Sequence, residues 1–594
     1  MSKKLIAMLL ALSMLFCLMA GCGGDTAVSS AAPDAESTQT EAPPAAEEPD
    51  EPAAPETEAP AAPEASAEEP GSVEEPTAAE GPSNEFYAEH IGVKDYDLPM
   101  FEDGLELSIY WVQLGAMGGA EQPLKKDLLF WQRVQEKLGV TLNFVQRSEA
   151  VCAEQYNLMI ASGDMTDLIY ESNCGQMGST SVYNGGYDKA IEDDVYVDLT
   201  DIIPEYAPNY WALLQSDENL RKDLTTDTGK LYSMGMIYDQ PQGVREGPLL
   251  RKDYLEATGK DTPETTDEWM EVLKIMKDNG IKYPMGVSNG GDIRGGFFMN
   301  AFGTAGGHSY KIDNATGELV YDGTSDELRD FVEFFHEAFN AGLIDPDYAY
   351  QQMFDQSLQI AGDTALFGGM DRDLVSYKTN YDMDLMAVPM AHTPDTDTLK
   401  LASYEYAKQR NSGMKNIVVT TDCIEPEKAV QFLDWFYSTE GASAVNFGFE
   451  EGESYEVVNG VKQQLPLMLD RDENLVSYEV IYSLDEGPGF QIVNKKNPIN
   501  EDYVIEAKEI WLSYDPDKAL YSGLPTLAFT AEEAEDMTAV NTDIYTTVST
   551  EISRFMMGER DLSEWDQYVA DIEAMGLDEL TKFYEAAYDR YEHR

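Results

Sequence analysis

Gly286-Val287-Ser288-Asn289-Gly290 carries the Gly-x-Ser-x-Gly spacing that lifts a nucleophilic serine onto a strand-to-helix turn. The chemistry would be acyl transfer, which also needs a helix right behind the serine and a catalytic histidine. Gly290-Gly291 is a poor helix start, and His90, His308, His336, His392 and His593 lie far apart. Neither HExxH nor CxxC occurs, so Cys/His metal sites lack raw material. Carboxylates are the opposite case: among 110 Asp and Glu, pairs suited to glycoside hydrolysis could arise anywhere, and none stands out. The acids in 313–326 and 470–473 lack EF-hand spacing, and no metal or cofactor is expected. Cys152 and Cys174 flank one helix and strand and could pair; alternatively they are buried thiols, like Cys423.

The 594 residues carry 40 Lys and Arg against those 110 acids, a net charge of −70. Phosphate backbones are bound by clustered cations, so nucleic acid is excluded as a partner. The charge is uneven. Residues 1–22 read as a secretory signal, with Lys3 and Lys4 ahead of an apolar run from Leu5 to Ala20, too short for a comfortable span of about 20 residues. Residues 23–85 hold 17 acids and no base in an Ala/Pro/Glu-rich stretch that cannot offset its ordering entropy, so a disordered linker is expected there. As a flexible coil it would span about 45 Å. Without these segments the body, residues 86–594, still stands near −55, with 93 acids against 38 bases. Such a charge disfavours anionic ligands.

The body alternates strand and helix patterns. Leu105–Trp111 has period two, Leu124, Leu128, Trp131, Val134 and Leu138 recur at helical spacing, and Val140–Val145 and Asp167–Tyr170 are further strands around a helix near 153–161. This order predicts an open parallel sheet covered by helices. Thr265 with Glu268, and Thr324 with Glu327, have capping-box spacing at two helix starts. Ala429, Phe432, Leu433 and Phe436 mark another helix, ending before Gly441. Strands are expected at Tyr283–Val287, Thr364–Phe367, Leu385–Val388 and Ile417–Thr420. Trp131, Trp269 and Trp435 sit on apolar helix faces and belong to the core, and Arg251 should make a structural ion pair. The simplest architecture is two α/β lobes.

Several segments carry a family resemblance. Ala20-Gly21-Cys22 resembles a bacterial lipobox, with Cys22 as the lipidated residue. Ala161-Ser162-Gly163-Asp164-Met165-Thr166-Asp167, Asp198-Leu199-Thr200 before Tyr206-Ala207-Pro208-Asn209, Gly229-Lys230-Leu231-Tyr232, Ala341 through Pro346 and Ala587-Tyr588-Asp589-Arg590-Tyr591 occur in family order. The body therefore resembles the extracellular solute-binding proteins of ABC importers, family 1, of the large lipoprotein type. The resemblance implies a type II periplasmic-binding-protein fold: two α/β lobes, a hinge and an interlobe ligand cleft. Lobe one would hold about 86–238 and 392–450, lobe two about 239–391 and 451–594, with crossings near Ser233–Tyr238 and Met386–His392.

It also implies a non-catalytic, monomeric receptor on the outer face of the cell membrane, and a lipoprotein on so long a linker suits a bacterium with a single membrane. Two acyl chains would anchor it there. It would capture a carbohydrate and deliver it to a permease; a peptide or other small solute, or a secreted hydrolase, are the rival readings. Ligands of open α/β sheets lie beyond the carboxyl ends of the strands. That rule selects Trp111 and Gln113 after the first strand, and Tyr170, Glu171 and Asn173 after the third. Asn289 and Asp292, then Met370, Asp371 and Arg372, follow strands of lobe two, and Tyr238 and Arg245 flank a crossing. Trp111 could instead lie on the buried face of its strand. Met370 stands where maltose-type members carry a stacking Trp.

Overall fold

Leu105, Leu107, Ile109 and Trp111 interleave with Tyr110 and Val112 along one strand, so both faces of that strand are apolar and both must be covered. A computed structural model shows this arrangement. It describes residues 93–594 except 114–122, 149–150, 172–182, 242–245, 288–295, 351–355, 404–407, 470–477, 485–486, 494 and 496–501. The chain divides between Pro76 and Thr77, and everything described belongs to the second unit. The expected signal, linker and Cys22 lie outside the described residues.

Strands are numbered along the chain. The first lobe is built on β1 (Leu105–Gln113), β2 (Val140–Ser148), β3 (Leu168–Glu171), β4 (Met234–Tyr238), β12 (Asn411–Val419) and β15 (Gly489–Gln491), in the order β15-β4-β12-β3-β1-β2. β1 pairs in parallel with β2 and β3, and β4 with β15. β12 is antiparallel to both neighbours, a departure from the all-parallel expectation. Its cause is the chain path: β4 leads toward the second lobe, and β12 returns from it, so the two must run oppositely. One face of β1 joins a core with Trp131, Leu213 and Phe436, and the other joins Tyr156, Tyr187 and Tyr196.

The second lobe has two sheets. One has the order β10-β5-β9-β6, from β5 (Glu246–Arg251), β6 (Met285–Gly286), β9 (Leu366–Met370) and β10 (Leu385–Ala387). The other has the order β11-β16-β7-β8, from β7 (Tyr310–Asp313), β8 (Leu319–Tyr321), β11 (Leu401–Ala402) and β16 (Tyr521–Gly523). A single core joins Trp269, Phe331 and Phe335 to Ile544, Phe555 and Tyr568. A hairpin, β13 (Tyr455–Val458) and β14 (Val461–Gln464), turns at Asn459-Gly460, both with positive φ as a tight hairpin turn requires.

The path between lobes differs from the expected division in two places. Leu401 and Ala402 still pair with β16 of the second lobe, so the second crossing follows Ala402 rather than falling near Met386–His392. Tyr455, Leu484, Phe490 and Ile492 pack in the first core, although 451–594 was expected in lobe two, because β15 extends the first sheet beside β4. A third crossing therefore follows Ile492. The crossings are knitted together: Tyr238 N donates to Arg410 O at 2.8 Å, Arg410 Nε to Tyr238 O at 2.9 Å, and Asp239 N to Gln491 O at 2.9 Å. Val493 N donates to Asp239 Oδ1 at 2.9 Å, and burial pushes that carboxyl above its ordinary value.

Local signals fared differently. The Thr265/Glu268 capping box is present and starts the helix Thr266–Asp278. At the second site Ser325, not Thr324, caps the helix Asp326–Asn340, accepting from Leu328 N at 3.2 Å. Glu327 is thereby turned toward Lys311. The helix expected to end before Gly441 does so, at Asp434, and Gly441 itself lies inside the next helix, Thr439–Phe447, capped by Ser438. There it lets the helix approach Trp435, whose carbonyl oxygen a Cβ at 441 would overlap. Gly441→Ala should cost about 2–3 kcal/mol in urea denaturation, since the obstacle is backbone and cannot swing aside.

Candidate functional site

The strand ends of the two lobes place the expected ligand contacts in three groups. Trp111 and Tyr170 are fully buried and stacked at 4.0 Å, with Trp131 edge-on to Trp111 at 5.5 Å. They continue the Leu105–Ile109 face into the first core and present no ring face to the lobe junction. Glu171 points from the opposite face of the sheet. It is buried and accepts from Tyr187 Oη at 2.7 Å and Tyr196 Oη at 3.0 Å, with Tyr156 and Tyr196 sharing a further bond of 2.8 Å. Burial and the Glu171 charge push both phenols well above their ordinary value, so they serve Glu171 as neutral donors.

The second group is committed to structure. Tyr238 belongs to the knitted crossing described above. Met370 N caps the helix Asp371–Tyr381 by donating to Asp373 Oδ2 at 2.8 Å. Asp371 pairs with Lys508 at 3.0 Å, both side chains being nearly inaccessible. Arg251 pairs with Asp253 at 2.6 Å, as expected, and Trp131, Trp269 and Trp435 are core. The third group, Asn173, Arg245, Asn289, Asp292 and the side chains of Gln113 and Arg372, lies outside the described residues, as do Ser288 and Cys174. Cys152 is buried, and burial pushes the Cys423 thiol up to about 11.

Two cavities share Thr526: one is walled by the second lobe together with Ser403 and Gln409 of the segment that crosses to β12, and the other straddles the two lobes. The first, about 470 Å³, has Asn300, Thr304, Ser309, Ser403, Gln409 and Thr526 in its wall, along with Met299 and Leu524. None of its described lining residues is charged, in a chain that is 25% charged. Thr304 Oγ1 donates to buried Asp322 at 2.6 Å and Tyr310 Oη bonds Thr581 Oγ1 at 2.9 Å, which fixes that side of the wall. The second cavity, about 260 Å³, lies between Tyr187, Asp188 and Tyr232 of the first lobe and Phe529, Arg590 and Arg594 of the second. Tyr187 and Tyr232 stack at 3.7 Å, and Glu171 anchors the Tyr187 hydroxyl.

The strand-end rule missed Gln409 because it considers carboxyl ends only. β12 is antiparallel, so its amino end, just after Gln409 and Arg410, is the one at the junction. Asn300 belongs to the short helix Met299–Phe302, which carries too few residues for a periodic signal.

Residues 114–443 match the profile of the bacterial extracellular solute-binding protein family. The chain is 21% identical over 491 residues to the fructooligosaccharide ABC transporter substrate-binding protein FusA of Streptococcus pneumoniae, covering 78% of this chain and 87% of that one. It is 24% identical over 463 residues to lipoprotein LipO of Bacillus subtilis, covering 72% and 82%. A solved HMO-binding, ABC-transporter-associated solute-binding protein of Bifidobacterium longum infantis superposes with a TM-score of 0.64 at 17% identity, over 82% of this chain and 99% of that one. That likeness confirms the two-lobed periplasmic-binding fold. With the family profile spanning more than half of its length, this chain belongs to the bacterial extracellular solute-binding proteins.

Proposed function

We propose that this protein is the receptor of an ABC importer and that it captures a neutral oligosaccharide at the cell surface. The observation that carries the ligand class is the uncharged wall of the larger junction cavity. Amides such as Asn300 and Gln409 offer a donor and an acceptor in one plane, and hydroxyls offer both from one atom, which matches vicinal sugar hydroxyls. A buried ligand charge would need a counter-charge, and the described wall has none. The name of FusA as a fructooligosaccharide-binding relative supports the same class. The strand-end residues Gln113, Asn173, Asn289 and Asp292 complete the proposed contact set, while Glu171 positions Tyr187. Binding without turnover, attachment through Cys22 and hand-over to a permease complete the reading. Closure of both lobes on the ligand would supply the signal a permease reads.

A thermal-shift and calorimetric panel of neutral oligosaccharides, oligouronates, peptides and polyamines tests it. A neutral oligosaccharide should raise the midpoint by mass action. Gln409→Ala should then weaken that ligand roughly tenfold, the loss of one or two hydrogen bonds, with little change in the midpoint of the free protein. Preferential binding of an oligouronate or a peptide would overturn the assignment.

A further inference from the structure

The smaller junction cavity is walled by ion pairs that cross from one lobe to the other. Asp227 lies in a first-lobe loop flanked by Leu224 and Leu231 of the first core. Its carboxylate accepts from Arg590 Nε at 2.6 Å and from Arg594 Nε at 2.9 Å and Nη2 at 2.5 Å. Both arginines follow Leu577 and Leu580, which are rooted in the second core. Arg590 extends its remaining two nitrogens to Glu533 of the second lobe, at 2.8 and 2.6 Å, so one guanidinium holds a carboxylate from each lobe. Tyr591 Oη donates to Asp223 Oδ1 at 2.9 Å, and Arg594 Nη1 to Lys222 O at 3.1 Å. The Asp227 loop is itself held, by Thr226 Oγ1 donating to Asp188 Oδ1 at 2.7 Å and Thr228 N to Asp188 Oδ2 at 3.2 Å.

These contacts differ from ordinary surface pairs in three respects. The Asp227 and Arg594 side chains are only 9% and 3% exposed, so solvent screens them little. Both oxygens of Asp227 are engaged, Oδ1 by two nitrogens of Arg594 and Oδ2 by Nε of Arg590, so the loss of this one carboxylate releases both arginines from the first-lobe loop. Finally, the two partners are joined covalently only through the crossings, so a hinge motion changes their separation directly.

We propose that Asp227, Arg590 and Arg594 form an ionic brace that holds the lobes in the present relative orientation and so sets the open–closed equilibrium before any ligand arrives. The brace also has a mechanical link to the larger cavity. Ala528 O accepts from Arg590 Nη2 at 3.2 Å, and Thr526, two residues earlier, lines both cavities. A molecule pressing on Thr526 therefore bears on the segment that seats the brace.

The test needs no ligand, so its outcome is independent of the carbohydrate assignment. Spin labels or fluorophores are placed on the mature protein at Leu158→Cys in the first lobe and Tyr381→Cys in the second, both exposed sites, and the interlobe distance distribution is measured. Asp227→Asn should lower the ratio of the parent separation to the alternative roughly tenfold, as expected when charge-assisted hydrogen bonds are lost from one of two states. Arg590→Gln with Arg594→Gln should give the same shift, and combining all three should add little. Arg590→Lys with Arg594→Lys, which keep the charges and lose the multiple nitrogens, should move the distribution in the same direction by less, which covers the case of a variant that folds poorly. An unchanged distribution in the folded variants would overturn the proposal, and so would a fall in thermal midpoint with no change in distance, which would make the pairs merely structural.

Discussion

Lys311→Met should destabilise the protein by about 3–5 kcal/mol, because it leaves a buried carboxylate without its cation. Lys311 and Asp322 are both fully inaccessible and lie 3.1 Å apart. Asp322 Oδ2 also accepts from Thr304 Oγ1 at 2.6 Å and from Ala305 N and Gly307 N at 2.8 Å, so its charge is held behind Thr304 and out of the larger cavity. Lys311 Nζ also donates to Gly303 O at 2.7 Å and Glu327 Oε2 at 3.1 Å, and lies 4.2 Å above the Tyr521 ring. Equilibrium urea denaturation reads the loss, and adding Asp322→Asn should recover part of it. A pH dependence accompanies it. Burial pushes the Glu327 carboxyl up, but Lys311 and the Tyr521 hydroxyl bring it below its ordinary value of 4.5. A lowered folded pKa contributes stability above the unfolded pKa and loses it as pH falls through the folded one. The gap between wild type and Lys311→Met should therefore narrow as the pH drops below about 4.5.

Trp111→Ala should cost about 3–5 kcal/mol as well, by leaving a cavity among Trp131, Phe144 and Tyr170. Trp111→Phe should cost less and leave affinity for the oligosaccharide unchanged. If the alanine variant kept its stability and lost affinity, the ring would be a ligand platform rather than a core residue. Calorimetry alongside denaturation separates the two outcomes.

The contrast shows what a sequence can reveal here. Strands β1, β2 and β3 and the Thr265 cap were legible because each rests on contacts within a few residues or on a two-residue period. Ser325 and Thr324 are adjacent hydroxyl residues of similar capping ability, so local spacing does not separate them, although Ser325 is the cap. The expected strand Tyr283–Val287 pairs over just Met285–Gly286, since β9 alone lies beside it. The membership of 455–492 was hidden for a different reason. Pairing of Gly489–Gln491 with Met236–Tyr238 joins residues about 250 positions apart, and no local pattern records it. The candidate site suffered most, because the strand-end rule assumes one strand direction and β12 has the other.

That long-range pairing also governs when the protein can take shape. The first sheet is incomplete until Gly489–Gln491 has been made, and the second core until Leu580 has. Neither lobe is a contiguous stretch that could finish while the rest is still being synthesised, as autonomous domains do. Contacts of such sequence separation are also slow to form. A chain leaving the ribosome thus stays unfinished almost to its last helix, since both cores wait on residues made late.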